Sequence, residues 1–93
     1  VALFNGLLLA LDAAGATARD WTAAHTTGLD AALAAARAST PDIAAVAALT
    51  GLPIDALQTF YDLFARTERV VTVYSQGVNQ SSAGTDKVNA IIN

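Results

Sequence analysis

Hydrophobic positions recur at helical spacing through the first two thirds of the chain. Leu3, Phe4, Leu7, Leu8 and Leu11 form one stripe, which predicts an amphipathic helix over residues 1–14 ending near Gly15. Residues 18–25 predict a short second helix. Gly28 separates it from a third, in which Leu29, Ala32, Leu33 and Ala36 share a face. Thr40 and Pro41 predict the start of a fourth, with Thr40 as N-cap and Pro41 at the first helical position, where its missing N–H costs nothing. That helix turns Ile43, Val46 and Leu49 inward and stops by Gly51. Pro53 opens a fifth with Ile54, Leu57, Tyr61 and Phe64 as its buried stripe, and Asp62 and Arg66 predict an i, i+4 ion pair on its outer face.

The pattern changes after Thr67, Glu68 and Arg69, which predict a turn. Residues 70–75 are nearly continuous in β-formers without polar alternation, as in a strand buried on both faces of a parallel sheet. Residues 76–84 follow as a loop rich in glycine and amide side chains. Residues 85–93 open a helix in which Val88, Ile91 and Ile92 follow helical spacing. Strand, loop and helix in that order are how open α/β sheets present a loop to a cofactor. One strand cannot make a sheet, so the expected fold class is a mostly α-helical segment with one C-terminal β-strand, belonging to a larger α/β parallel-sheet domain. In that organisation residues 1–66 are the helical part and residues 76–84 the cofactor loop.

Composition points the same way. Of the 93 residues, 54% are hydrophobic and only 14% are charged, against the roughly 25% charged that is usual for a soluble domain. A chain this short buries a small share of its surface by itself, so the surplus apolar surface is expected to lie against neighbours outside it. The absence of an initiator Met and the stop within a helix at Ile91, Ile92 and Asn93 support the same expectation, an internal piece of a longer polypeptide. Residues 1–11 are apolar but lack the basic flank and small-residue cleavage site of a signal peptide. No run reaches the roughly 18 apolar residues of a membrane span. The chain has no cysteine, hence no disulfide or thiolate ligand of its own. A net charge of -3 argues against a nucleic-acid surface.

Chemistry-bearing residues are sparse. His25 is the only histidine and reads as a solvated helix end, because acid–base work needs a positioned partner. Trp21, Phe4, Phe60, Tyr61 and Phe64 read as core or interface. The carboxylates are scattered singly, so no catalytic residue and no metal ligand is expected in this stretch. The loop differs: Gly77 and Gly84 would allow backbone amides to approach a ligand. Six residues separate the two glycines, which matches neither GxGxxG nor GxxxxGK[ST]. Asp86 disfavours a phosphate and complements the helix dipole. Gln76, Asn79 and Gln80, with Ser81 and Ser82, offer groups that donate and accept at once, which suits the edge of a pterin or a guanine. The competing reading is an ordinary polar turn that closes its own hydrogen bonds.

The stretch Val71-Thr-Val-Tyr-Ser-Gln-Gly-Val-Asn-Gln-Ser-Ser-Ala-Gly-Thr-Asp-Lys-Val-Asn-Ala-Ile-Ile-Asn93 resembles bacterial molybdopterin oxidoreductases, specifically the assimilatory nitrate reductases. Val1-Ala-Leu-Phe-Asn-Gly-Leu-Leu8, Gly28-Leu-Asp30 and Phe64-Ala-Arg-Thr-Glu-Arg69 look like the same family. Gly77-Val-Asn-Gln80 marks the superfamily, and Ser81-Ser-Ala-Gly-Thr-Asp-Lys87 the assimilatory branch. Ala83 is a mild departure, at a position where serine is expected.

The resemblance implies a parent enzyme that reduces nitrate to nitrite at molybdenum. The metal is held there by two molybdopterin guanine dinucleotides, and an iron–sulfur cluster and an electron-donor protein or domain supply the electrons. It implies cofactor contacts at Gln76, Gly77, Val78, Asn79 and Gln80, and a cytoplasmic location. Partners would be the remainder of the polypeptide, the electron donor and nitrate, with no nucleic acid and no membrane. The isolated segment is expected to bind no cofactor, to be inert, and to self-associate through residues 70–75. Three alternatives are a fragment of a related formate dehydrogenase, a stand-alone helical interaction module and an unrelated nucleotide-binding fragment.

Overall fold

The computed structural model describes residues 1–92, so the end of the last predicted helix, Asn93, lies outside the described residues. The elements are α1 (Ala2–Ala13), α2 (Arg19–His25), α3 (Leu29–Ser39), α4 (Ile43–Thr50), α5 (Ile54–Arg66), α6 (Gln76–Asn79) and α7 (Gly84–Ile92). Helix α1 is the hub, packing against α3, α4, α5 and α7. Leu7, Leu33, Ala36, Val46, Leu57, Tyr61 and Ala90 are buried around it, each from the apolar stripe of its helix.

What seats α1 is a missing side chain. A Cβ at Gly6 would lie 2.7 Å from Val46 Cγ2 and 3.3 Å from Tyr61 Cζ, and would run into the Tyr61 hydroxyl. That hydroxyl is held in place because it donates to the Leu3 carbonyl at 2.9 Å. Gly6 therefore lets α4 and α5 reach the α1 backbone, and Tyr61 satisfies its buried phenol there.

Several local expectations are corrected. Thr40 is not the N-cap of α4: its hydroxyl donates back to the Ala36 carbonyl at 3.0 Å, in the last turn of α3, and the residue is buried. Asp42 caps α4 instead, accepting the Ala45 N–H at 2.8 Å, the stronger choice because a carboxylate also complements the dipole. Leu49 and Ile54 are 64% and 50% exposed rather than inward. They flank the corner at Gly51, which has φ +73° and across which α4 and α5 are bent by 115°. Asp62 and Arg66 do not pair through their charges. The Asp62 carboxylate accepts from Gln58 Nε2 at 3.0 Å, and Arg66 Nε donates to the Asp62 carbonyl at 3.1 Å. Trp21 is 60% exposed, stacked on His25 with ring centroids 4.7 Å apart, because α2 packs little against the rest of the bundle.

The predicted strand and its sheet are absent. Residues 70–75 form neither helix nor strand, and the described residues hold no strand at all, so the fold is all-α where an α/β segment was expected. Val71 and Val73 are 85% and 87% exposed. The β-propensity of valine, threonine and tyrosine is a fitness for a pleated, half-buried surface, and no second strand is at hand to supply one. After this stretch α6 packs on α7. The two are joined by a sharp turn at Ala83, whose φ of +55° puts an L-residue in the left-handed region.

Around α2, the Asp12 carboxylate at the end of α1 pairs with Arg19 and, at 3.3 Å, with Arg37. Both arginines are more than half exposed, so these ties position α2 and α3 more than they stabilise the fold. Among the described residues no single helix is long and apolar enough to cross a membrane.

Gly6→Ala is expected to lower unfolding stability by about 1–3 kcal/mol, the cost of overpacking a filled site, as measured by urea denaturation. Burial raises the Tyr61 phenol above its ordinary value. Its stabilising effect is fully present below about pH 10, where the unfolded phenol titrates, and is lost as pH rises from there through the higher folded value. Thermal melts of the wild-type chain should therefore fall away faster than those of Tyr61→Phe above about pH 10, while the gap between the two stays constant below it.

Candidate functional site

Residues 76–80 do not lie in an open loop. Gln76, Gly77, Val78 and Asn79 make the single turn of α6, and Gln80 follows it. The turn closes because Gln80 N–H donates to the Gln76 carbonyl at 2.9 Å and Val78 N–H to the Ser75 carbonyl at 3.0 Å. Four residues hold a helix poorly on their own, so the orientation of α6 is set by what it touches.

Its contact is with α7 and is tight. A Cβ on the buried Gly84 would run into the Asn79 carbonyl oxygen, and would lie 2.8 Å from the Asn79 carbonyl carbon and 3.0 Å from the Val78 carbonyl oxygen. These are backbone atoms and cannot swing aside. Gly84 thus serves helix packing within the chain, where sequence reasoning had placed it against a ligand. Gly77 is the opposite: no atom of the chain lies within 4 Å of where its Cβ would be, so its open side is free for something else to approach.

The amide side chains of Gln76, Asn79 and Gln80 stand on exposed residues, and Val78 is half-buried beneath them. The local side-chain hydrogen bonds run behind this surface. Ser81 Oγ donates to the Val78 carbonyl at 2.7 Å, and Lys87 Nζ donates to Ser81 Oγ at 2.7 Å. The sequence missed this use of Ser81 and Lys87; the signal was their position on either side of Gly84, where a chain reversal brings them together. Asn79 also lines an open groove of 260 Å³ with Tyr74, Gly84, Thr85, Val88 and Asn89. Asp86 lies in the first turn of α7, where a carboxylate complements the dipole.

This surface can recognise a flat heterocycle with mixed donors and acceptors, because each of its amides presents both. It cannot hold a metal: among the described residues no three His, Cys, Asp or Glu side chains come together. It can therefore contact the pterin part of a molybdenum cofactor but cannot ligate the metal. His25, with Nδ1 2.8 Å from the Trp21 carbonyl oxygen, lies on α2 and takes no part.

No family model matches the chain, and no solved structure matches it. Two curated proteins do. A nitrate reductase of Klebsiella oxytoca is 42% identical over 91 residues, which cover 98% of this chain and 10% of that protein. A nitrate reductase of Shewanella frigidimarina is 40% identical over 91 residues, again 98% of this chain and 10% of the relative. The chain spans about a tenth of the length of the curated relatives it matches, and over nearly all of its own length it is related to nitrate reductases.

Proposed function

We propose that this chain is a segment of the catalytic polypeptide of a molybdenum-dependent assimilatory nitrate reductase. In this reading Gln76, Gly77, Val78, Asn79 and Gln80 form a contact surface for the pterin of one molybdopterin guanine dinucleotide. The observation that carries the reading is the match to two nitrate reductases across 98% of the chain. Two features of the structure support the role of the surface: the amides are exposed, and the space over Gly77 is open. The match favours nitrate over formate chemistry.

When bound, the cofactor supplies the two-electron reduction of nitrate to nitrite and water, drawing electrons through an iron–sulfur cluster from a donor protein or domain. The work of this segment is narrower. The amide groups bind and orient the heterocycle by paired donors and acceptors, and Gly77 lets the backbone come close. Polar groups held ready on one side of a cofactor select it against analogues that leave them unpaired. The segment supplies no metal ligand and no proton-transfer group, so by itself it is inert, and its exposed Val71 and Val73 favour self-association in isolation. The polypeptide works in the cytoplasm.

In the full-length polypeptide, Gln80→Ala is expected to lower molybdenum content per chain roughly tenfold at limiting cofactor, the scale of one lost hydrogen-bonding group, while the melting temperature of the cofactor-free protein stays put. Undiminished molybdenum content with full activity would remove Gln80 from the contact. Gly77→Ala meets nothing in the chain and, as a helical position, should be neutral to slightly stabilising. A loss of cofactor in that variant would show that the backbone at 77 is approached closely, and unchanged retention would show that it is not.

A further inference from the structure

We infer that Lys87 is a positioning residue for the surface at residues 76–80, an inference that rests on the reading of that surface as a cofactor contact. A single helical turn cannot hold its own orientation, yet a recognition surface must be held to within a fraction of an ångström. The only element against which α6 packs extensively among the described residues is α7, and α7 reaches it in two ways. One is the close approach of Gly84 to the carbonyl of Asn79. The other is the relay in which Lys87 Nζ donates to Ser81 Oγ at 2.7 Å, and Ser81 Oγ donates onward to the Val78 carbonyl at 2.7 Å.

Ser81 accepts and donates in this chain at once, and its carbonyl also receives the Gly84 N–H at 2.9 Å. A charged donor at the start of such a chain strengthens the bond after it. Ser81, Lys87 and Val78 are all half-buried, so water competes less for these bonds than it would at the surface. Beyond residue 69 the only charged side chains are Asp86 and Lys87, and adjacent positions on a helix do not face each other. The Lys87 ammonium is thus directed to Ser81, and through it fixes the carbonyl in the middle of α6. It touches none of the five contact residues with its own charge; it acts through Ser81.

The test uses the full-length polypeptide. Lys87→Met keeps the apolar stem and removes the donor, and Ser81→Ala breaks the relay with a smaller change. Amide hydrogen exchange at residues 76–80 in the cofactor-free protein is expected to quicken about tenfold in either variant, the loss of one charge-assisted bond, with exchange in α1 and α5 unchanged. Molybdenum retention should fall in parallel. The double variant should be no worse than either single one, and Lys87→Arg should restore both readouts. Unaltered exchange and retention in Lys87→Met, or an additive double variant, would overturn the inference. If Gln80→Ala costs cofactor while Lys87→Met is silent, the contact surface stands and the positioning role falls. A silent Gln80→Ala overturns the contact reading and this inference with it.

Discussion

Helix α1 can be central only because position 6 has no side chain. The close approach there brings Val46 of α4 and Tyr61 of α5 onto the backbone of one helix, and the bend of 115° between α4 and α5 carries both against it. Tyr61 then gives its proton to the Leu3 carbonyl. That carbonyl lies within a helix and already serves as an acceptor, so the added bond uses its second lone pair. Leu7, on the same helix, is buried beside this contact. Larger side chains at position 6 would push α4 and α5 outward together, because the two are joined by only three residues, Gly51, Leu52 and Pro53.

Away from that hub the chain is loosely covered. Trp21, Leu49, Leu63, Val71 and Val73 are all at least 60% exposed, and residues 70–75 run without helix or strand. Single exposed apolar residues are normal on protein surfaces, but a run of them beside an open backbone is not. The relatives are about ten times longer than this segment, which matches 10% of each. Apolar surface of this kind gains most by burial against other parts of such a polypeptide.

Helical periodicity was legible because it depends on residues a turn apart: the stripes of α1 and α3 and most of those of α5 and α7 fall where the spacing of their leucines, alanines and isoleucines puts them. What was not legible depended on competition between neighbours. Thr40 and Asp42 are both sound N-caps, and the choice was made by α3 continuing to Ser39, which turned Thr40 toward its own helix. Leu49 and Ile54 belong to helical stripes but sit at a corner, where neither helix has a partner on that side. Arg66 had a carboxylate at the right spacing and bonded a carbonyl instead, since the carboxylate was taken by Gln58. Residues 70–75 have the composition of a strand, and a strand is a property of two segments rather than one. At the candidate site the residue types were readable and the geometry was not: the five residues form a helical turn, and Gly84 packs against the chain itself.

The division of labour between Gly77 and Gly84 shows why the site sits on so small an element. A recognition surface must leave its polar groups unspent, and a long helix buries or pairs most of what it carries. One turn exposes nearly everything, at the cost of having little to hold it. Here that cost is met from behind: Gly84 brings the next helix close, and Ser81 with Lys87 fixes the carbonyl of Val78. Satisfying the rear of α6 from α7 leaves the forward amides free, so a ligand need not first order the residues that bind it, and less of its binding energy is spent on doing so. The residues that fix the turn are therefore distinct from those that would touch a cofactor, and a substitution in either set should be separable by its effect on the free protein.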